Sequence, residues 1–130
     1  YQTALQADEV LVALEFPIAS PDQQFHFDEL SRRRGDYAMV GLACAVGFKG
    51  QQVQSARIAL LAVADTAVLA RRAMAALQGQ TLSASTIAAA QQALSADLIP
   101  NGDLQADAAT KIHLARVLLG RSLQALQKSS

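Results

Sequence analysis

The chain has 130 residues, 52% hydrophobic and 17% charged, with a formal net charge of +0. One domain fits that length, and the apolar content excludes a disordered chain. Charge balance argues against a nucleic-acid binder or a polybasic membrane-surface protein, and a single cysteine, Cys44, excludes an internal disulfide framework or an iron–sulfur cluster held by this chain alone.

Residues 1–8 have the look of a connecting segment. At 9–16 the even positions Val10, Val12, Leu14 and Phe16 are apolar, a period of two that predicts a strand buried on one face. Pro17 and the Ser20-Pro21-Asp22 cluster predict a loop. Phe25 and Phe27 alternate with His26 and Asp28, so 24–32 reads as a second strand, with a short helix as the competing reading. Residues 37–48 alternate large (Val40, Leu42, Cys44, Val46, Phe48) with small (Gly41, Ala43, Ala45, Gly47). One face of that strand carries bulk. The other permits close approach of a helix, a neighbouring domain or a ligand.

Lys49-Gly50-Gln51-Gln52 predicts a hairpin connection to a strand at 53–63, with Ala56, Ile58, Leu60 and Ala62 on one side and Arg57 on the other. The period then lengthens. Asp65 or Thr66 is the expected cap of a helix reaching Leu77, with Gly79 as its stop. Ser83 or Ser85 should open a second helix carrying Ile87, Ala90, Leu94 and Leu98 in line, which Pro100-Asn101-Gly102 breaks. A third, from about 106 to 127, presents Ile112, Ala115, Leu119, Ser122 and Leu126 on one stripe. Strands first and helices afterwards predict an α+β fold: an antiparallel sheet of three to four strands followed by three helices on one face. No apolar run approaches the roughly 20 residues of a membrane span, and no signal-peptide pattern opens the chain.

The polar chemistry concentrates in Ser31-Arg32-Arg33-Arg34-Gly35-Asp36-Tyr37-Ala38. Arg32 and Arg33 suit phosphate or a delocalised planar anion. Tyr37 offers a flat face for stacking and a phenol for hydrogen bonding. Asp36 beside Gly35 can orient the arginines or close the turn. A solvated basic turn at a strand end explains the same residues without any ligand.

The run Phe-His-Phe-Asp-Glu-Leu-Ser-Arg-Arg-Arg-Gly-Asp-Tyr-Ala (25–38) resembles the signature that opens the C-terminal domain of the FAD-binding medium subunits of molybdenum hydroxylases, the carbon monoxide dehydrogenase flavoprotein and xanthine dehydrogenase type. The likeness continues in the family's order. Tyr1-Gln2-Thr3-Ala4-Leu5 followed by Glu9-Val10-Leu11 and Pro17 resembles the segment entering the domain, and Ser55-Ala56-Arg57-Ile58-Ala59-Leu60 and then Ala64-Asp65-Thr66 resemble its fourth strand and the turn into its first helix. Ala75-Ala76-Leu77-Gln78-Gly79 resembles the end of its first helix. Asp103 and His113-Leu114-Ala115-Arg116-Val117-Leu118 with Arg121 resemble its last helix.

The resemblance implies that 1–8 connects from a preceding FAD-binding domain that this sequence does not include, and that 9–128 is the flavoprotein C-terminal domain. It implies an oxidoreductase subunit, cytoplasmic, and inactive as this chain alone. FAD is the implied cofactor, held mainly by glycine-rich loops that have no counterpart here. Molybdopterin on a large subunit and 2Fe–2S clusters on a small subunit are the implied partner cofactors. Tyr37 is expected against the isoalloxazine ring, with Asp36, Arg32, Glu29 and Asp28 as further cofactor-binding candidates. Several relatives carry Lys near Glu29, where this chain has an acid. Thr110 and Lys111 stand where a Tyr-Arg pair is usual, and Gly120 replaces a commonly basic residue; all three are expected to be framework or subunit-contact positions. The alternative is a protein-interaction module that kept the fold without binding flavin.

Other candidates carry less. Arg34-Gly35-Asp36 spells an integrin-recognition tripeptide, short enough to occur by chance. His26 lies between aromatics on a strand, and His113 lacks a His or carboxylate one helical turn on, so no metal site and no catalytic nucleophile or base is expected. Cys44 is expected to be inert core.

Overall fold

A computed structural model describes residues 3–33 and 35–127. Tyr1, Gln2, Arg34 of the tripeptide and Lys128, the expected end of the domain, lie outside the described residues.

Four strands, β1 (Gln23–Leu30), β2 (Val40–Lys49), β3 (Gln52–Leu61) and β4 (Val68–Leu69), precede three helices, α1 (Arg71–Leu77), α2 (Ala84–Leu94) and α3 (Ala108–Gln127). The sheet runs in the order β1-β2-β3-β4, antiparallel throughout. The alternation along β2 decides how it is covered. Val40, Leu42 and Val46 point with Ile58 and Leu60 of β3 into a core closed by Leu77 of α1, Leu94 of α2 and Leu118, Leu119 and Leu123 of α3, all fully buried. Gly50, at φ 60°, makes the tight β2–β3 turn without a Cβ penalty. The register shifts just before that turn, between Gly47 and Phe48.

Two expectations fail for physical reasons. Residues 9–16 form no strand; Val10, Val12, Leu14 and Phe16 are 80%, 91%, 69% and 82% exposed. Alternation makes a strand only where a neighbour supplies the ladder. The chain turns at 20–23, where the Gln23 N–H donates to the Ser20 carbonyl (3.0 Å), and β1 is the sheet's edge. Among the described residues, no strand forms a ladder with 9–16.

The helix expected over 65–77 splits. Val68 and Leu69 pair with Leu60 and Ala59 as β4, and only Arg71–Leu77 is helical. Neither Asp65 nor Thr66 caps it. The Asp97 carboxylate, just past α2, accepts from the Arg72 N–H (3.0 and 2.9 Å) and the Ala73 N–H (3.1 Å). It satisfies orphan donors of the first turn and sets negative charge at a helix N-terminus.

The rest follows expectation. Gly79 ends α1 at φ 74°, and Ser83, not Ser85, caps α2 by accepting from the Thr86 N–H (3.2 Å). Residues 106 and 107 stay outside α3; Asp107 accepts from the Thr110 N–H (2.7 Å), which lowers its pKa. Lys111 is framework, as expected. It is buried in α3 and donates to the Ala62 carbonyl (2.7 Å) and to Asp103 (2.6 Å), holding Ala62 in its left-handed conformation (φ 63°) at the end of β3. Among the described residues, no helix is long and apolar enough to cross a membrane.

Candidate functional site

The polar signature forms the connection between β1 and β2. The Met39 N–H donates to the Leu30 carbonyl (2.7 Å) and closes the base of the loop. Inside it, the Asp36 N–H reaches the Arg33 carbonyl (3.1 Å) and the Ser31 hydroxyl donates to the same carbonyl (2.8 Å). Gly35 sits at φ 82°, a conformation that a side chain would strain. The Asp36 carboxylate accepts from the Tyr37 N–H (2.8 Å). Asp36 therefore shapes the turn, and the Tyr37 side chain leaves it into solvent, 83% exposed. A place against a flat cofactor needs an accessible ring, and Tyr37 is accessible.

Arg32, a candidate for anion pairing, also makes a structural contact. Its Nη2 donates to the carbonyls of Gln105 (2.6 Å) and Leu104 (3.3 Å), in the connection between α2 and α3. That connection is itself fixed. Asp103 accepts from the N–H groups of Gln105 (2.8 Å) and Ala106 (3.0 Å) and from Lys111. The Lys111 hydrogen bond, then the backbone donors, hold the Asp103 carboxyl down to about 2. Arg32 thus anchors the signature turn to that connection while staying exposed, and Arg33 is a second exposed cation of the described turn.

Glu29 and Asp28 separate, because successive strand residues face opposite ways. Asp28 points to the helices, where its carboxylate pairs with Arg121 (3.1 Å). Glu29 is exposed on the opposite face, with Phe25 and Phe27. The turn residues Asp36 and Tyr37 come together with Arg32 behind them and Glu29 two residues before the loop. Asp28 belongs to another surface. That split was implicit in the alternation of Phe25 and Phe27 with His26 and Asp28. Leu104, 98% exposed, is the residue that sequence reasoning missed at this corner; it lies in an irregular connection with no periodic signal, and only its carbonyl bond to Arg32 brings it here.

The corner can offer a flat ring one aromatic face and a nearby cation. Among its described residues there is no nucleophile poised against a base. His26 bonds the buried Ser122 hydroxyl (3.1 Å) on the helix side, and burial pushes the Cys44 thiol up to about 11, an unreactive state. No group of His, Cys, Asp or Glu among the described residues is arranged to hold a metal.

Residues 25–126 match the family model described as the CO dehydrogenase flavoprotein C-terminal domain. The chain is 32% identical over 125 residues to the carbon monoxide dehydrogenase medium chain of Hydrogenophaga pseudoflava, covering 96% of this chain and 44% of that one. It is 32% identical over 124 residues to the 6-hydroxypseudooxynicotine dehydrogenase complex subunit alpha of Paenarthrobacter nicotinovorans, covering 95% and 42%. The fold superposes on the solved carbon monoxide dehydrogenase from Hydrogenophaga pseudoflava that lacks the Mo-pyranopterin moiety, with a TM-score of 0.79 at 35% identity over 84% of this chain and 38% of that one. The chain spans less than half the length of these relatives.

Proposed function

The chain belongs to the CO dehydrogenase flavoprotein C-terminal domain family, and on that premise we propose that it is the C-terminal domain of the FAD-containing subunit of a molybdopterin-dependent dehydrogenase or hydroxylase. The observation that carries this reading is Tyr37: an exposed aromatic ring at the end of a turn braced by Asp36 and Arg32, on the matched stretch of the chain. An exposed ring on a rigid turn fits the wall of a flat cofactor.

Tyr37, Arg33 and Asp36 would lie beside FAD, and the flavin would supply electron transfer between iron–sulfur clusters and an external acceptor. This chain's part is to hold and tune. Tyr37 supplies a stacking face, and Arg33 supplies positive charge to the same corner. Asp36 fixes the backbone from which Tyr37 projects, and Arg32 is a positioning residue that ties the turn to the connection carrying Leu104. Asp28, committed to Arg121, is left out of the set. Glu29 brings negative charge towards the corner, which disfavours a reduced, anionic ring. The partners on this reading are the preceding FAD-binding domains, an iron–sulfur small subunit and a molybdopterin large subunit. The expected location is the cytoplasm, in keeping with one cysteine kept as a buried thiol. The named relatives act on different substrates, so substrate choice is assigned elsewhere in the complex.

Glu29 favours a second reading, a protein-interaction module that kept the fold and lost the flavin. The visible spectrum of the purified intact subunit separates the two. Flavin bands at stoichiometric content support the first; a folded, colourless subunit supports the second.

A further inference from the structure

The helices cover one face of the sheet, and the opposite face is uncovered. On it, strand register sets three rows: Phe25 beside Ala45 and Arg57; Phe27 beside Ala43, Ala59 and Leu69; Glu29 beside Gly41 and Leu61. Phe25 and Phe27 are 59% and 57% exposed, and Leu61 and Leu69 also reach solvent. The β2 floor carries nothing larger than a methyl group. Gly41 has to be small, since a Cβ there would lie 2.8 Å from the Leu61 side chain. The result is a trough of about 330 Å³ floored by Ala43 and Ala45 and walled by Phe25, Arg57 and Leu69. The Phe25 wall stands two strand spacings from Arg57 and three from Leu69, roughly 10 to 14 Å, room for one helix. Contiguous exposed apolar surface of this kind marks an interaction site.

We infer that this trough seats an apolar ridge, one secondary-structure element wide, contributed by the flavin-binding portion that precedes this domain in the intact subunit. The inference rests on the reading of the chain as the C-terminal domain of a longer flavoprotein. Three observations select that occupant. Relatives of this chain are more than twice its length, and the matched family is a C-terminal domain. The lead-in joins the sheet at the start of β1, the strand that supplies the phenylalanine wall, so a preceding portion is tethered at the rim and held at high effective concentration. The lead-in is itself exposed and apolar through Val10, Val12, Leu14, Phe16 and Ile18, continuing the wall's chemistry towards that portion. Charge fixes the ridge's direction. Arg57 lies in the Phe25 row and Glu29 in the row at the other end, so the ridge presents an acid or carbonyl to the first and a cation or N–H to the second.

Ala43, exposed on the floor, tests this as Ala43→Cys, with Gln124→Cys on the outer side of α3 as the control. The native Cys44 is buried and stays silent to a charged maleimide. In the 130-residue chain both reporters label at similar rates. In the intact, flavin-loaded subunit, labelling at 43 slows roughly 100-fold or more while 124 is unchanged, as for a site that opens only by local undocking. Fast labelling at 43 in the flavin-loaded subunit overturns the docking and leaves the flavin reading standing. Protection that appears in the chain alone and grows with its concentration makes a second copy the occupant and overturns it as well. A folded intact subunit without flavin overturns the underlying reading instead.

Discussion

Arg32→Ala isolates what the signature turn's own bracing contributes. Arg32 makes two bonds across 72 and 73 residues of sequence, at 3.3 Å to Leu104 and 2.6 Å to Gln105. Only the shorter is in the full-strength range. A charged donor to a neutral carbonyl is worth about 1.5–3 kcal/mol when sheltered, and solvent exposure of the guanidinium reduces that, so the net loss is about 1 kcal/mol. That lowers Tm by roughly 3–5 °C for a domain of this size. The local effect is more telling. The Gln105 and Ala106 N–H groups are held by Asp103 in the connection that Arg32 clamps, and a loss of about 1 kcal/mol accelerates their hydrogen exchange roughly fivefold, with α1 and α2 little changed. Both bonds leave one nitrogen, so Arg32→Lys, whose ammonium carries three donors but on a stem of different reach, recovers part of the loss and falls between. Native-state exchange by NMR reads both. Unchanged exchange at 105 and 106, or an equal rise throughout the helices, refutes the bracing role.

Tyr37→Ala leaves the stability of the isolated chain within about 0.5 kcal/mol, because the ring touches solvent, yet weakens flavin retention in the intact subunit by roughly 2–12-fold, the value of one aromatic stacking contact of about 0.5–1.5 kcal/mol. Thermal unfolding and flavin content after dilution check the two halves. Asp97→Ala removes the cap of α1 and costs about 1 kcal/mol, measured by urea denaturation; an unchanged midpoint removes Asp97 from that role. Asp103, ordinarily 3.8 and held at about 2 in the fold, contributes stability that is fully present above pH 4 and fades as pH falls towards 2. Acid should therefore loosen the 103–106 connection in that window, and Asp103→Asn should remove the dependence there; identical acid profiles for the two proteins would contradict the assignment.

Sequence alone captured the elements whose determinants are local. Large and small residues alternate along β2, Gly50 marks its turn, Ser83 (with Ser85 the other candidate) caps α2 and Gly79 stops α1, and each acts within a few residues. The failures have distant causes. Residues 9–16 and β2 share the same alternation, but only β2 has neighbours on both sides. The cap of α1 comes from Asp97, 25 residues beyond Arg72, and Val68 and Leu69 were claimed by a ladder on β3 that outweighed a helix start. The site divides the same way. The turn that exposes Tyr37 is written in consecutive residues. The partner of Arg32 lies on the far side of two helices, and Leu104 sits in a connection whose pattern announces nothing.

The midpoint potential of the bound flavin in the intact subunit, compared between the native protein and Tyr37→Ala, reaches the central claim most directly. If the Tyr37 corner is one wall of the flavin's berth, the variant's potential shifts while its fold and the unfolding of this domain do not. A flavin whose potential and spectrum ignore the loss of the ring would show that the cofactor lies against some other surface.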